Sequence, residues 1–145
     1  MATTKPGIKF FEGPEGAKQI VEDTLTAQTE VYSYTDLEIV DKYYGEFNSG
    51  YVGQRLEKGI KKKMIVVDSV YNRQHAKEII NPSAQVKILS APNSFAAIMY
   101  IYDNKVSYIT LKPDSMVSTI IEHESLYRMH KTLFESHWQS AKTVA

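Results

Sequence analysis

The sequence contains no cysteine. This absence excludes disulfide bonds, thiolate metal ligands and a cysteine nucleophile at the same time. Disulfides are rare in the cytosol, where glutathione and thioredoxin keep thiols reduced, and a chain without cysteine fits that environment. We therefore predict a cytoplasmic protein.

An excess of charge and a long apolar segment are also missing. The 17 Lys and Arg residues balance the 17 Asp and Glu residues, so the formal net charge at pH 7 is zero. Because duplex binding depends mainly on neutralising phosphates, we expect little affinity for DNA from this chain alone. No apolar run approaches the roughly 20 residues that cross a bilayer, and the opening MATTKPG lacks the apolar centre of a signal peptide. No membrane partner is predicted.

The chain has the length and apolar content of one ordinary domain. It has 145 residues, of which 43% are hydrophobic, and this is enough to build a core. Residues 1–7 are small and polar and include Pro6 and Gly7, which indicates a tail or the end of a linker. We predict a single domain over residues 8–142.

Residues 95–113, FAAIMYIYDNKVSYITLKP, predict a β-hairpin at the centre of the fold. Segments rich in Ile, Tyr and Val flank a two-residue turn at either Asp103-Asn104 or Asn104-Lys105. Such a turn places even-numbered residues of the first strand on the same face as odd-numbered residues of the second. One face then carries Ala96, Ile98, Tyr100, Tyr102, Ser107, Ile109 and Leu111, and the other carries Ala97, Met99, Ile101, Val106, Tyr108 and Thr110. Both faces are largely apolar, so we expect the hairpin inside a sheet that is covered on both sides.

Strands and helices alternate through much of the remaining chain. The patterns predict strands at 8–13, 30–36, 64–68, 86–91 and 117–121 and helices at 14–28, 51–61, 71–80 and 124–142. Residues 37–50 have a weak pattern, which we interpret as a loop or a short helix. The predicted fold class is α/β, a sandwich with a mixed sheet and a central hairpin covered by helices.

The hairpin resembles the catalytic hairpin of the phospholipase D superfamily, in which His-x-Lys-x-x-x-x-Asp leads through a turn into a strand that ends in Gly-Ser-x-Asn. When Asp103 is set on the Asp of that motif, Ala96 falls on the His and Ile98 on the Lys. Residues 110–113, TLKP, fall on Gly-Ser-x-Asn. The resemblance implies a phospholipase D-like α/β sandwich that has lost its catalytic groups. On this basis we predict that the chain is not an enzyme and has no catalytic residue.

The segments FFEGPEG, EVYSYTD, GYVGQRLEKGIKKKMIVVDS and LFESHW are more specifically similar to the effector domain of TrmB-type transcriptional regulators. This resemblance covers about residues 8–138. It implies a ligand-sensing and dimerising domain, hence a homodimer with a small-molecule effector and no cofactor. Such regulators carry a winged-helix domain in front of this unit, so we expect DNA as a partner only through a separate domain. A stand-alone structural or interaction domain without a small ligand is the alternative.

Two sets of residues are candidates for contacting a ligand. They are Glu12, Tyr34 and Asp36 at predicted strand ends, and Ala96, Ile98, Tyr100 and Leu111 on the hairpin face that holds the nucleophile in phospholipase D. Asp36 and Asp68 could also serve a metal-dependent hydrolase, but no His, Ser or Lys nucleophile is placed to use them. We regard that activity as the least favoured reading and predict no metal site.

The closing helix has an apolar and aromatic arc that is wider than one sheet contact would cover. Leu126, Met129, Leu133 and Phe134 are predicted to face the core. The predicted homodimer contact uses the hairpin edge, the last helix, or both. Its candidate residues on the helix are Tyr127, His130, Phe134, His137 and Trp138. His123, His130 and His137 recur two helical turns, or roughly 10.5 Å, apart, which is too far for a shared metal. Packing within the chain and a pH-sensitive interface are the other interpretations of these histidines.

Two basic motifs are interpreted as solvated surface. His75-Ala76-Lys77 is the only His-x-Lys in the chain, but the Asp that phospholipase chemistry requires would fall at Pro82. A cluster of lysines at a predicted helix end suits the helix dipole. The cluster consists of Lys58, Lys61, Lys62 and Lys63. Binding of phosphate or nucleic acid by these lysines is the alternative.

Overall fold

The computed structural model describes residues 7–110, 112 and 114–144, without the side chains of residues 44–49. Its elements in chain order are β1 (Ile8–Glu12), α1 (Gly13–Thr24), β2 (Val31–Thr35), α2 (Leu37–Glu57), β3 (Lys62–Val67), α3 (Val70–Ile79), β4 (Ala84–Leu89), β5 (Ala97–Tyr102), β6 (Lys105–Thr110), β7 (Val117–Glu122), α4 (Glu124–Ser140) and β8 (Lys142–Thr143). No helix in this described part is long and apolar enough to cross a bilayer.

The strands form one mixed sheet in the order β1-β7-β6-β5-β2-β3-β4-β8. β2, β3 and β4 are parallel to one another, and the other pairings are antiparallel. Helices α1, α2 and α3 pack on one face through residues such as Ile20, Val40 and Ala76, and α4 packs on the other through Phe134. This arrangement confirms the predicted α/β sandwich with a mixed sheet and a central, covered hairpin.

The hairpin of β5 and β6 turns at Asp103 and Asn104. Their φ angles of 47° and 61° are both positive, as a two-residue type I′ turn requires. The register pairs Ile98 with Ile109, in agreement with the predicted faces. Ile98 and Ile109 belong to the core under α1 and α2, whereas Ile101 belongs to the core under α4. Both faces of the hairpin are therefore buried.

The hairpin turn is fixed to the chain that enters β2. The Asp103 carboxylate accepts hydrogen bonds from the backbone N–H groups of Gln28 at 3.0 Å and Thr29 at 2.9 Å. The backbone N–H of Asp103 in turn donates to the Thr29 hydroxyl at 3.0 Å. Because these bonds join positions more than 70 residues apart, the turn and the loop after α1 hold each other in place.

Residues Leu37–Glu57 form one continuous helix, α2, so the interpretation of residues 37–50 as a loop or a short helix is wrong. The Asp36 side chain caps α2 by accepting from the Glu38 N–H at 3.2 Å. The buried amide of Asn72 on α3 accepts from the same N–H at 3.0 Å and donates to Asp36 at 3.1 Å. The local cap at Asp36 is therefore supported by a residue of α3, which the weak pattern of residues 37–50 does not reveal.

Several other element boundaries also differ from the prediction. Helix α1 ends at Thr24, four residues early, and the Thr24 hydroxyl donates to the Val21 carbonyl at 2.6 Å. Strand β3 begins at Lys62, because Lys62 and Lys63 pair with β2. The short strand β8 was not predicted and pairs with β4 at one edge of the sheet.

Helix α4 faces the sheet with its aromatic side. Phe134 is 1% exposed and stacks on Tyr32 of β2 with ring centroids 4.7 Å apart. Leu126, Met129 and Leu133, which were predicted to face the core, are 43%, 59% and 45% exposed. That prediction is wrong because aromatic rings bury more apolar area and find ring partners on β2. β5 and β6 lie between β2 and β7, so the hairpin has no free strand edge. The last helix remains as the predicted dimer contact.

Replacing Asp103 with alanine should lower the free energy of unfolding by about 2–3 kcal/mol, because two N–H groups lose a charged acceptor and alanine is strained at positive φ. Urea unfolding followed by circular dichroism measures the change. Asn104→Gly is the matched control, since glycine adopts positive φ without strain and should keep or increase stability. Equal stability of Asp103→Ala and the wild type would contradict this account of the turn.

Candidate ligand-binding cavity

A cavity of about 280 Å³ lies between the sheet and helices α1, α2 and α3. Its walls are largely apolar, and several polar side chains also point to it. The apolar part includes Val21, Val40, Met64, Ile98 and Ile109, and the polar part includes Ser33, Thr35, Tyr51, Arg55, Lys62 and Tyr100. An apolar pocket with a few convergent polar groups is the usual form of a small-molecule site.

The hydroxyls of Ser33 and Thr35 lie on the cavity side of β2. Alternate residues of a strand face the same side, and the register pairs Ser33 with Tyr100 of β5 and Met64 of β3, which line the same cavity. Ser33 is 1% exposed and Thr35 is 3% exposed. Neither hydroxyl has a hydrogen-bond partner among the described residues, so both are available to a ligand.

Lys62 is the first residue of β3 and is buried on the same side. Its Nζ lies 5.2 Å from the ring centroid of Tyr51 and 6.0 Å from that of Tyr100. Burial, together with the nearby charge of Arg55, lowers the pKa of Lys62 to about 7. The prediction that Lys62 is solvated is therefore wrong, whereas Lys58 and Lys61 are exposed as expected.

Arg55 reaches the cavity from α2 and is 3% exposed. Its Nη1 donates to the Ile60 carbonyl at 2.8 Å and to the Ser83 carbonyl at 3.3 Å. Its Nε has no partner in the part of the chain that the structure describes. Arg55 therefore links α2 to the loop before β4, and its Nε–H remains without a hydrogen-bond acceptor.

The structure brings two of the seven predicted ligand residues, Ile98 and Tyr100, to this cavity. Burial raises the pKa of Tyr34 to about 12, so its hydroxyl keeps the proton. This hydroxyl is hydrogen-bonded to Nδ1 of His137 at 2.7 Å on the opposite face. Asp36 caps α2, and Glu12 is exposed at the end of β1. The remaining two are Ala96, which is exposed before β5, and Leu111, which lies outside the described residues.

The two carboxylates considered for a metal each have a partner of another kind. Asp68 accepts from Arg73 at 2.8 Å, and Asp36 accepts from Asn72 at 3.1 Å. Among the residues with described side chains, no three His, Cys, Asp or Glu lie close enough together to hold a metal ion.

The residues predicted for a dimer contact lie on or beside the sheet-facing side of α4. Nδ1 of His130 donates to the Leu126 carbonyl at 2.8 Å. In the neutral ring Nε2 is then the acceptor, and it accepts from the Tyr108 hydroxyl at 2.6 Å. Tyr127 and Trp138 are partly buried beside Phe134. These contacts fix the orientation of α4 within one chain.

Ser33, Thr35, Arg55 and Lys62 were not predicted as site residues. The period-two pattern of EVYSYTD does place Ser33 and Thr35 together on one face of a buried strand. Arg55 follows Tyr51 by one helical turn and so shares its inward face. Polar residues on a buried face are the signal that would have found three of the four.

Replacing Lys62 with methionine should change how stability depends on pH. The pKa of an unfolded lysine is about 10.4, and burial lowers it to about 7 in the folded chain. Between these values the unfolded state binds more protons, so the free energy of unfolding rises with pH by up to about 1.4 kcal/mol per pH unit and is lowest below pH 7. Lys62→Met should lack this rise.

Urea unfolding of both proteins between pH 6.5 and 10 measures the effect, because the titration of other groups cancels in the difference. Lys63→Met is the matched control, since Lys63 lies on the opposite face with Nζ 5.5 Å from the Trp138 ring centroid. Parallel curves for Lys62→Met and the wild type would show that Lys62 titrates normally.

Comparison with known proteins relates the chain by structure and not by sequence. No protein-family model and no curated protein matches the sequence. TrmBL2, an archaeal chromatin protein with a novel mode of DNA binding, matches 99% of this chain with a TM-score of 0.67 and 17% identity. This chain spans only 57% of the length of TrmBL2.

Two further structures match over nearly their full length. Nuc from Salmonella typhimurium, a phospholipase D family member, has a TM-score of 0.69 and 14% identity, and the match covers 94% of this chain and 96% of Nuc. NucT from Helicobacter pylori has a TM-score of 0.65 and 12% identity, with 94% and 98% covered.

The prediction that the chain is not an enzyme is wrong in the light of these matches. The fold extends over 96% of a phospholipase D family member, so the fold gives no ground for excluding catalysis. Ala96 and Ile98 in place of His and Lys remove one set of catalytic groups and do not exclude others. The chain has the phospholipase D-like fold, which extends over part of TrmBL2 and over nearly all of Nuc and NucT.

Proposed function

We propose that this chain is the ligand-sensing and dimerisation domain of a TrmB-like transcriptional regulator. The observation that carries the proposal is the cavity, where buried hydroxyls of Ser33 and Thr35 have no partner among the described residues. Burying a polar group without a hydrogen bond costs free energy that a bound ligand would recover. The shared fold with TrmBL2 over 99% of this chain supports the regulatory setting.

A ligand in the cavity would contact α2 and the sheet together. Val40, Tyr51 and Arg55 of α2 line the cavity opposite residues of β2, β3 and β5. A ligand shifts a conformational equilibrium only through contacts that differ between the two states. Because the ligand would bridge two layers of the fold, its binding would favour one position of α2 relative to the sheet.

Dimerisation is proposed through α4. Leu126, Met129 and Leu133 form an exposed apolar stripe along this helix. At helical spacing, His130 and His137 border the stripe on the side that turns toward the sheet. Two copies of the stripe could meet about a two-fold axis, which is the commonest symmetry of homodimers. Of the interface residues predicted from the sequence, Phe134 is buried within its own chain. It would therefore pack under the interface without touching the partner chain.

Binding of DNA is proposed to belong to a separate domain. The net charge of the chain is zero, and Lys62 is withdrawn from the basic cluster into the cavity. A surface that binds DNA phosphates needs several exposed Lys or Arg side chains. TrmBL2 is a DNA-binding protein of which this chain spans 57%, and we propose that the chain corresponds to its sensing and dimerising portion.

Replacing Met129 with glutamate should convert a dimer into monomers at micromolar concentration, because a charge would be buried in an apolar contact without a partner. Light scattering after gel filtration measures the mass against the 16.5 kDa of one chain. Gln139→Glu adds the same charge on an exposed position of α4 away from the stripe and should stay dimeric. A wild-type mass of one chain would overturn the dimerisation proposal, and a dimeric Met129→Glu would move the interface elsewhere.

A further inference from the structure

The cavity contains two buried basic side chains for which the described chain supplies no anion. Lys62 is 8% exposed and Arg55 is 3% exposed. The ion pairs among the described residues join Arg73 to Asp68, Lys105 to Asp23 and Arg128 to Glu124, and none includes either cation. A buried charge is normally paired or hydrogen-bonded, because leaving it unpaired is costly. An anionic group in the cavity would supply the missing partner.

The donors in the cavity suit one negative charge. The hydroxyls of Ser33 and Thr35 have no partner in the described part of the chain and can donate to an oxygen of the ligand. Lys62 contributes one flexible ammonium group, whereas Nη1 of Arg55 is occupied by two carbonyl oxygens. The Tyr51 hydroxyl and Nε of Arg55 are two further donors without a partner among the described residues. Carbonyl oxygens hold Arg55 in place, so Lys62 is the cation of the described cavity wall that can turn toward a ligand, and a single carboxylate matches it.

The apolar part of the cavity wall determines the size and character of the uncharged part of the ligand. Val21, Val40, Ile98 and Ile109 provide apolar surface along the cavity. An apolar cavity of about 150 Å³ holds benzene, and this cavity of about 280 Å³ has room for a ring or a short branched chain together with a charged group. The ligand is therefore small and compact, with one charged end.

We propose that the cavity binds a small organic monoanion, a carboxylate with a compact apolar body, whose charged end is held by Lys62 and the hydroxyls of Ser33 and Thr35. This inference rests on the proposed ligand-sensing function and names the class of its ligand.

Other charged groups near the cavity do not neutralise Lys62. Tyr51, Tyr100 and Arg55 surround its ammonium, and burial raises the pKa of both tyrosines above 10, so they stay neutral. Asp41, Glu78 and His75 line the cavity from α2 and α3, and both carboxylates are on exposed residues. Asp41 already accepts from the Tyr71 hydroxyl at 2.7 Å, and His75 stacks on the Tyr71 ring.

Isothermal titration calorimetry on the full chain tests the proposal. The probes are benzoate and 3-methylbutanoate, with benzamide and 3-methylbutanamide as neutral molecules of the same shape and with glucose and inorganic phosphate as other classes. The carboxylates should bind, and the amides should bind at least tenfold more weakly. Binding should be about 30-fold tighter at pH 6 than at pH 8.5, because the protonated fraction of a lysine with a pKa of about 7 falls by that factor. His75→Gln should retain this pH dependence.

Three variants separate the site from general effects of charge. Lys62→Met should weaken carboxylate binding at least tenfold and abolish its pH dependence. Lys63→Met removes the same charge from the next residue, on the opposite face of the sheet, and should bind as the wild type does. Thr35→Val keeps the shape of the side chain without its hydroxyl, so it should weaken binding and raise the melting temperature of the empty protein.

Each other outcome counts against the proposal. Equal carboxylate binding by Lys62→Met and the wild type, or equal binding of amide and carboxylate, would overturn the anion site. Binding of glucose without any carboxylate would overturn the ligand class and leave the sensing function standing. Binding by none of the probes would overturn the anion proposal, while the mass of Met129→Glu still decides the dimerisation part of the proposed function independently.

Discussion

The register of β3 against β2 determines the chemistry of the cavity. Lys62 and Lys63 are adjacent and identical in type, but a strand directs neighbouring side chains to opposite faces. Lys62 enters the cavity under α2, whereas Lys63 lies over the Trp138 ring under α4. A shift of one residue would exchange the two faces along the whole strand. The pairs Val31 with Lys62 and Lys62 with Ala84 therefore place the charge in the cavity as well as building the sheet.

An element could be predicted from the sequence where its hydrophobic alternation and turn residues lie within the element itself. The hairpin was predicted because its alternation, its length and the Asp103-Asn104 turn all agree, and the register follows from those features. The first part of helix α2 was missed because residues 37–50 have a weak apolar pattern. The Asp36 cap at its start is also held by Asn72, which lies 36 residues further along the sequence. The orientation of α4 was wrong because both sides of that helix are apolar. Aromatic partners on the sheet, among them Tyr32 and Tyr34 of β2, decide which side is buried.

The cavity could be predicted only in part. Alternation along β2 places Ser33 and Thr35 on one face of a strand whose neighbours are buried, and that pattern was visible in the sequence. The cavity beside these hydroxyls could not be predicted, because it depends on the distance between α2 and the sheet. Ile98 and Tyr100 were placed correctly from hairpin parity. Tyr34 was misplaced because alternation sets it on the face opposite Ser33 and Thr35 but does not say which face carries the cavity. Its partner His137 lies 103 residues away.

Buried polar side chains outside the cavity are mostly hydrogen-bonded, unlike several of those inside it. Asn72 is fully buried and is bonded to the Val67 carbonyl, Asp36 and the Glu38 N–H. Thr24 and Ser107 are likewise bonded, to the Val21 carbonyl and the Tyr102 hydroxyl. Outside the cavity, Ser118 alone among the described residues keeps a buried side-chain oxygen without a partner. Inside the cavity, the hydroxyls of Ser33, Thr35 and Tyr51 and Nε of Arg55 lack a partner among the described residues. Departures from packing rules concentrate at functional sites. Valine at positions 33 and 35 would fill the same strand positions without that cost, so the stability of the empty protein gives no reason for these hydroxyls, and a ligand does.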